Sequence, residues 1–122
     1  MTLRDDFFSI LQKETSPNSV LAKIEINERH KIFEGHFPGK PVLPGVCMVQ
    51  IILEIMQVVI GKPVRLTESD TIKFLSMVSP TENKEIDASI NYEVEPGRFL
   101  INASLFSGQV IFFKLKGVLK LV

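Results

Sequence analysis

The chain of 122 residues contains little cysteine and no excess of either charge. Its one cysteine, Cys47, has no partner for an internal disulfide bond, and such a chain suits a reducing compartment. The 14 basic and 14 acidic side chains cancel to a formal charge of zero, so no global charge attracts nucleic acid or a membrane surface. The start of the chain does not resemble a signal peptide, because Asp5 and Asp6 lie within its first six residues. We therefore expect a cytoplasmic protein with no nucleic-acid or membrane partner.

Motifs for metals and nucleotides are also missing from the sequence. No group of His, Cys, Asp and Glu has metal-ligand spacing, and there is no Gly-rich phosphate loop or nucleic-acid motif. Repeats, low-complexity tracts and linkers are absent too, and the length fits one domain. We expect a single domain over 1–122 that uses no metal and no cofactor.

The most informative segment that is present is the run GHFPGKPVLPGV at 35–46. It places one histidine, His36, among three prolines and three glycines. Each proline fixes its own φ and pushes the preceding residue toward an extended conformation, while glycine allows sharp turns. A loop that restricts the surroundings of one titratable imidazole indicates that His36 is positioned for a task. The alternative is a structural crossover loop in which the histidine caps a neighbouring group.

An apolar helix is predicted directly after this loop, over about 45–60. Gly61 and Pro63 form a helix stop, Pro44-Gly45 is a plausible start, and the run is longer than a typical strand. The helix is also too short and too interrupted to span a bilayer. It is therefore expected to lie in the core.

Three polar residues interrupt the helix, and their i, i+4, i+7 spacing places them on one stripe: Gln50, Glu54 and Gln57. Burying a carboxylate is costly unless it is paired, hydrogen-bonded or wet. The stripe is therefore expected to face a cavity, a dimer axis or a rim of solvent.

Alternating apolar residues predict an antiparallel sheet against this helix. Strands are expected at 20–27, 30–33, 67–77, 85–95, 99–107 and 110–122. The last three are joined by short turns, so they form a meander, and one buried helix against such a sheet makes an α+β fold. A capping-box-like pattern also predicts a short N-terminal helix from Thr2 to about Lys13.

The run HFPGKPVLPGV at 36–46 resembles the signature of the β-hydroxyacyl-(acyl carrier protein) dehydratases of type II fatty-acid synthesis. The histidine, the X-Pro steps and the Pro-Gly helix start all occur in register. A weaker match is IKF at 72–74 with Val78 and Pro80, which resembles the next strand of that family. The resemblance covers Ser19 to the C-terminus and implies a hotdog fold, in which an antiparallel sheet wraps around one long central helix.

One position departs from that family. In those enzymes the histidine works with a carboxylate that the neighbouring subunit supplies from its central helix, and the matching position here is Gln50. An amide cannot give up a proton as a general acid. The family's glutamine one turn later is replaced by Glu54. Either the acid has moved by one turn, about 5 to 6 Å along the helix, or dehydratase chemistry has been lost.

The resemblance implies a reaction at the start of this helix. His36 would take the C2 proton of a 3-hydroxyacyl thioester, and Glu54, beside Gln50, would protonate the leaving hydroxyl. The product would be the trans-2-enoyl thioester of fatty-acid or polyketide-like lipid synthesis.

Substrate contacts are implied at four further residues. The amide of Gly45 or Val46 would stabilise the thioester oxygen, and Phe37 and Pro44 would complete the binding site. The substrate would be carried by acyl carrier protein or coenzyme A. The implied assembly is a homodimer or a trimer of dimers.

Two other functions stay open. The chain could be a non-catalytic or half-catalytic hotdog subunit that binds acyl chains, in a heterodimer whose partner supplies the missing carboxylate. It could also be an acyl thioesterase on the same fold. Two residues are assigned structural roles: His30 as a surface strand histidine and Cys47 as an inert core thiol.

Overall fold

The computed structural model describes residues 2–37 and 39–122, so Met1 and Pro38, one of the three prolines of the histidine loop, lie outside the described residues. Within these ranges the chain forms one six-stranded sheet, one long helix and one short helical turn. The strands are β1 (Phe8–Ser16), β2 (Ser19–Ile26), β3 (Val64–Phe74), β4 (Glu85–Glu95), β5 (Arg98–Ser107) and β6 (Val110–Leu121); the helices are α1 (Ile32–Gly35) and α2 (Gly45–Ile60). The spatial order of the strands is β1-β2-β4-β5-β6-β3, and all neighbours pair antiparallel.

The meander β4–β5–β6 is joined by tight turns at two glycines with positive φ, Gly97 at 74° and Gly108 at 58°. Glycine adopts this conformation without the steric penalty that a Cβ brings. A third glycine, Gly117, lies inside β6 where β3 bulges toward it, and a Cβ there would collide with the carbonyl oxygen of Glu68. Close approach of the two backbones therefore requires glycine at this position.

Helix α2 lies in the core. Its buried apolar residues are Cys47, Met48, Ile51, Ile52, Ile55 and Met56, and they share one cluster with inward-facing residues of the strands. Burial alternates along β4, where Ile86, Ala88 and Ile90 point inward. Fully burying one aliphatic side chain of this size contributes about 1.5–3 kcal/mol, so the sheet holds the helix mainly through this cluster. The arrangement is the hotdog fold.

The predicted N-terminal helix over 2–13 is wrong, because Phe8–Ser16 forms strand β1 instead. This strand pairs with β2 from Phe8 opposite Ile26 to the turn at 16–19, and the pairing satisfies the backbone groups of β1 that face β2. Asp5 has a φ of 68°, a left-handed conformation that does not occur inside a right-handed helix. Long-range pairing therefore overrides the local helical pattern.

The predicted strand at 30–33 is also wrong, since Ile32–Gly35 forms the turn α1. Strand β3 begins at Val64 and ends at Phe74, earlier at both ends than the predicted 67–77. The helix predicted over about 45–60 is confirmed as α2, and the strands predicted at 20–27, 85–95, 99–107 and 110–122 are confirmed within one residue at each end.

Candidate active site at the start of the central helix

His36 is held by the loop that follows it. Its ring Nδ1 lies 3.1 Å from the carbonyl oxygen of Val42, and the Val42 amide donates a hydrogen bond of 3.0 Å to the carbonyl oxygen of His36. Because a carbonyl oxygen only accepts, Nδ1 is the donor, and in the neutral imidazole the lone pair is therefore on Nε2. This tautomer is the one that a general base needs.

Phe37 limits the rotation of the His36 ring. The two rings stack with centroids 4.4 Å apart and planes at 19°, and the peptide bond between the residues is cis. The Phe37 amide donates to the carbonyl of Lys40 at 3.2 Å, and the Lys40 amide donates back at 3.0 Å. Packing and two hydrogen bonds therefore fix the chain on the C-terminal side of His36.

The start of α2 presents free hydrogen-bond donors. The carbonyl of Pro44 accepts from the amides of Cys47 and Met48, at 3.0 and 3.3 Å. Among the described residues, the amides of Gly45 and Val46 have no acceptor. Such amides carry the positive end of the helix dipole, and they can stabilise negative charge on a ligand oxygen.

An apolar groove of about 520 Å³ opens beside these amides. It is lined by Val42, Leu43, Gly45, Met48, Phe74, Leu75, Ser76 and Met77. The Phe74 ring covers Gly45 so closely that a Cβ on Gly45 would lie 2.8 Å from two ring atoms. The Leu43 amide donates to the carbonyl of Val78 at 2.9 Å, which ties the histidine loop to the segment after β3. The groove suits an apolar chain whose polar end lies at the helix start.

Glu54 is buried and fully hydrogen-bonded. Only 2% of the residue is exposed, and both carboxylate oxygens accept from the Leu3 amide, at 2.9 and 2.8 Å. Oε1 also accepts from the Arg4 amide at 2.7 Å, and Oε2 accepts from Nε2 of Gln50 at 2.8 Å. The carboxylate is thus satisfied by hydrogen bonds, one of the three conditions that the sequence requires. The polar stripe is expected to face a cavity, a dimer axis or a rim of solvent. At Glu54 it instead meets the amides of Leu3 and Arg4, in the N-terminal segment of the same chain.

The predicted site residues fall into two groups along the chain. Phe37, Pro44, Gly45 and Val46 follow His36 in the loop and at the helix start, and of these only Gly45 lines the groove, while Gln50 and Glu54 bond to each other further along α2. No hydrogen bond among the described residues joins His36 to Glu54. Their combination in one reaction stays a prediction.

Two other singled-out residues differ in outcome. Cys47 is buried as predicted, and burial raises the pKa of its thiol. His30 lies in a turn before α1 rather than on a strand, and its side chain is only 19% exposed. The identity of His30 does not by itself predict a turn. Asn27, three residues earlier, does, because asparagine favours turns.

Two negative findings bear on the site. Within the described residues, no group of three or more His, Cys, Asp and Glu side chains could hold a metal ion. Over the same part of the chain, no helix has the length and apolar character that crossing a membrane requires.

Fold and site together define a hotdog-fold protein whose histidine loop precedes the central helix. Residues 12–109 match the ApeI-like family, described as ApeI dehydratase, and the chain belongs to that family. It is also similar to the 3-hydroxyacyl-[acyl-carrier-protein] dehydratase FabZ of Caulobacter vibrioides, at 32% identity over 99 residues that cover 80% of this chain and 56% of that protein. FabZ of Rickettsia bellii is 30% identical over 91 residues, covering 66% of this chain and 61% of that protein. The chain spans less than two thirds of the length of these relatives.

Solved structures confirm the fold. The dehydratase heterocomplex ApeI:P from Xenorhabdus doucetiae superposes with a TM-score of 0.73 at 19% identity, covering 91% of this chain and 96% of that one. An uncharacterised protein from Erwinia carotovora subsp. atroseptica superposes with a TM-score of 0.63, also at 19% identity, covering 93% and 91% of the two chains. At these identities the likeness concerns the fold alone.

Proposed function

We propose that the chain takes part in the dehydration of a 3-hydroxyacyl thioester, with His36 as the general base. The observation that carries the proposal is the contact of 3.1 Å between Nδ1 of His36 and the Val42 carbonyl, because in the neutral imidazole it places the proton on Nδ1 and the lone pair on Nε2. The similarity to FabZ and the membership of the ApeI-like dehydratase family support the same chemistry.

The proposed reaction uses the groups at the helix start. Nε2 of His36 takes the C2 proton, and the electron pair of that bond forms the C2–C3 double bond as the C3–O bond breaks. The thioester oxygen gains negative charge on the way, and the amides of Gly45 and Val46, which have no acceptor among the described residues, would stabilise it. The hydroxyl leaves as water once it receives a proton. The acyl chain would lie in the apolar groove.

Glu54 is the candidate within the chain for the group that supplies this last proton. To act, it must carry a proton and exchange the amides of Leu3 and Arg4 for the substrate hydroxyl, since those amides occupy its oxygens. Gln50 would then orient the carboxyl through its hydrogen bond of 2.8 Å.

A second candidate function is a half-catalytic subunit that supplies His36 and the groove while another hotdog chain supplies the acid. The same occupied oxygens of Glu54 favour it, because a carboxylate engaged by three donors is poorly available to a substrate. The structural neighbour ApeI:P is itself a heterocomplex. In either case the partners we propose are an acyl carrier protein or acyl-CoA thioester and a second hotdog chain, in the cytoplasm. No observation favours the acyl thioesterase.

The test measures turnover of 3-hydroxyacyl thioesters of acyl carrier protein and of coenzyme A, with mass spectrometry to quantify the enoyl product. We expect His36→Ala to abolish turnover and to leave the fold intact, because within the described residues the ring stacks only on the exposed Phe37 and the backbone hydrogen bonds of the loop do not involve the side chain of His36. Lys40→Ala is the matched control, since this exposed side chain lies in the same loop. Equal turnover by His36→Ala and the parent would contradict the proposal.

A further inference from the structure

A cluster around His30 joins the turn before β1 to the turn α1. Its members are Asp6, Phe7, His30, Ile32 and Phe33, and we call it the His30 cluster. Nε2 of His30 lies 3.1 Å from Oδ2 of Asp6, and the Ile32 amide donates to Nδ1 of His30 at 3.1 Å. Because Nδ1 accepts a hydrogen bond, it carries no proton, so Nε2 is the donor to Asp6. Both polar ends of the ring are engaged.

Aromatic packing holds the same ring from the side. Phe7 is fully buried and meets His30 edge to face, with centroids 5.3 Å apart and planes at 80°. It also stacks on Phe33 of α1, with centroids 5.5 Å apart and planes at 29°. Phe7 thus packs against His30, which hydrogen-bonds the first turn of α1, and against Phe33 within α1.

His30 caps the N-terminus of α1. No side chain of Lys31, the residue before the helix, caps it. Instead His30 supplies two acceptors, its ring Nδ1 for the Ile32 amide and its carbonyl for the Phe33 amide at 3.1 Å. A helical turn of four residues is not stable by itself, so these contacts decide where α1 lies.

We propose that His30 is a positioning residue for His36. Helix α1 ends at Gly35, and His36 is the next residue, so the place of α1 sets where the chain enters His36. On its other side His36 is held by Val42, so the imidazole is clamped between two anchors. The inference rests on the proposed function, because the position of His36 affects a rate only if His36 acts on substrate.

The test compares two substitutions in the full chain. His30→Phe keeps a ring against Phe7 but has no acceptor for the Ile32 amide. His30→Asn restores an acceptor, because an asparagine side chain can bond the amide two residues later. We expect His30→Phe to lower kcat/KM on the order of 10²-fold, mainly through kcat, as misplacement of a catalytic group does. His30→Asn should recover most of this loss.

A second measurement does not depend on activity. The ¹⁵N resonances of the His36 ring report which nitrogen carries the proton, and we expect His30→Phe to shift them toward a mixture of tautomers while His30→Asn leaves them near the parent values. Lys31→Gln is the matched control, since it changes an exposed side chain of the same turn that makes no cap. If turnover is absent in every variant but the His36 resonances respond as stated, the proposed function fails and the positioning role stands.

Unchanged His36 resonances in folded His30→Phe would overturn the inference. If His30→Phe does not fold, Asp6→Ala decides, because Asp6 is 71% exposed and its loss removes only the partner of Nε2. A smaller shift of the His36 resonances in the same direction is then expected. Resonances identical to those of the parent would overturn the inference.

Discussion

Leu3 and Glu54, separated by 51 residues in the sequence, are joined because the Leu3 amide donates to both carboxylate oxygens. A buried carboxylate without partners would cost several kcal/mol or more, and here backbone donors of the N-terminal segment remove that cost. The same hydrogen bonds anchor the segment before β1 to the central helix, and Leu3 is buried there.

Replacing Glu54 by glutamine tests this anchor. We expect Glu54→Gln to lower the free energy of unfolding by about 1–3 kcal/mol, because an amide offers one acceptor oxygen and no charge to the same donors. Chemical denaturation measures the change. Glu93→Gln, at an exposed position of β4, is the isosteric control and should have no effect. Equal stability of Glu54→Gln and the parent would contradict the anchoring role.

The turnover rate of Glu54→Gln shows whether Glu54 or a second hotdog chain supplies the acid. If Glu54 donates the proton, Glu54→Gln should reduce kcat by about 10²–10⁴-fold. If another hotdog chain supplies the acid, kcat of the assembled complex should stay within a few-fold of the parent.

Subunit complementation tests the missing carboxylate directly. The double substitution Gln50→Glu, Glu54→Gln returns a carboxyl to the position at which the resembled dehydratases carry it. We expect a chain with this swap and His36→Ala to be inactive alone but active when mixed with the parent, because each chain then supplies one group. The control mixes the parent with a chain that carries only His36→Ala. Equal turnover in both mixtures would exclude a site shared in this way.

Gly45 is predicted to accept a methyl group only if the Phe74 ring moves. A Cβ would lie 2.8 Å from that ring, and because the ring is the far end of an exposed side chain, we expect Gly45→Ala to displace it and to destabilise the fold by less than about 1 kcal/mol, below the usual cost of overpacking a core. Thermal unfolding measures it, and Phe74→Leu in the same chain should relieve part of the loss. Gly35→Ala is the control, because a Cβ on Gly35 would have no neighbouring atom within 4 Å.

The buried thiol of Cys47 should not react in the folded state. Burial raises the pKa of Cys47 above its ordinary value, so folding favours the protonated thiol. The protonated Cys47 thiol contributes fully to stability below the pKa of the unfolded chain, about 8.5. This contribution is lost as the pH rises through the higher pKa of the folded chain. We expect a disulfide reagent to modify Cys47 only after denaturant is added, and Cys47→Ala to show a shallower alkaline loss of stability. Fast modification of the folded chain at neutral pH would point to an accessible thiolate.

We also expect at least a homodimer in solution. Strand β3 lies at one edge of the sheet, and large apolar residues near it are exposed, among them Ile72, Phe74 and Met77. Ile72→Lys should therefore weaken the dimer in light scattering. Leu11→Lys, on β1 at the opposite edge, is the matched control and should not. A stable monomer of the parent at micromolar concentration would contradict the prediction.

The limits of α2 follow from the sequence alone, because they depend on local backbone constraints. Gly61 ends the helix with a φ of 78° and donates its amide to the carbonyl of Gln57 at 2.8 Å, as a glycine stop does wherever it occurs. The same holds for the turns at Gly97 and Gly108.

Tertiary structure alone decided the features that depend on partners far away in the chain. Residues 8–13 carry a helical pattern but lie in strand β1, because β2 offers an antiparallel ladder of hydrogen bonds that is irregular only between Ile10 and Gln12. The sequence requires that Glu54 be satisfied, but only the fold brings Leu3 to it. His30 likewise acquires Asp6 as a partner through the path of the N-terminal segment. Short-range patterns constrain φ and ψ, whereas the partner of a buried polar group is set by which distant backbone the packed core places beside it.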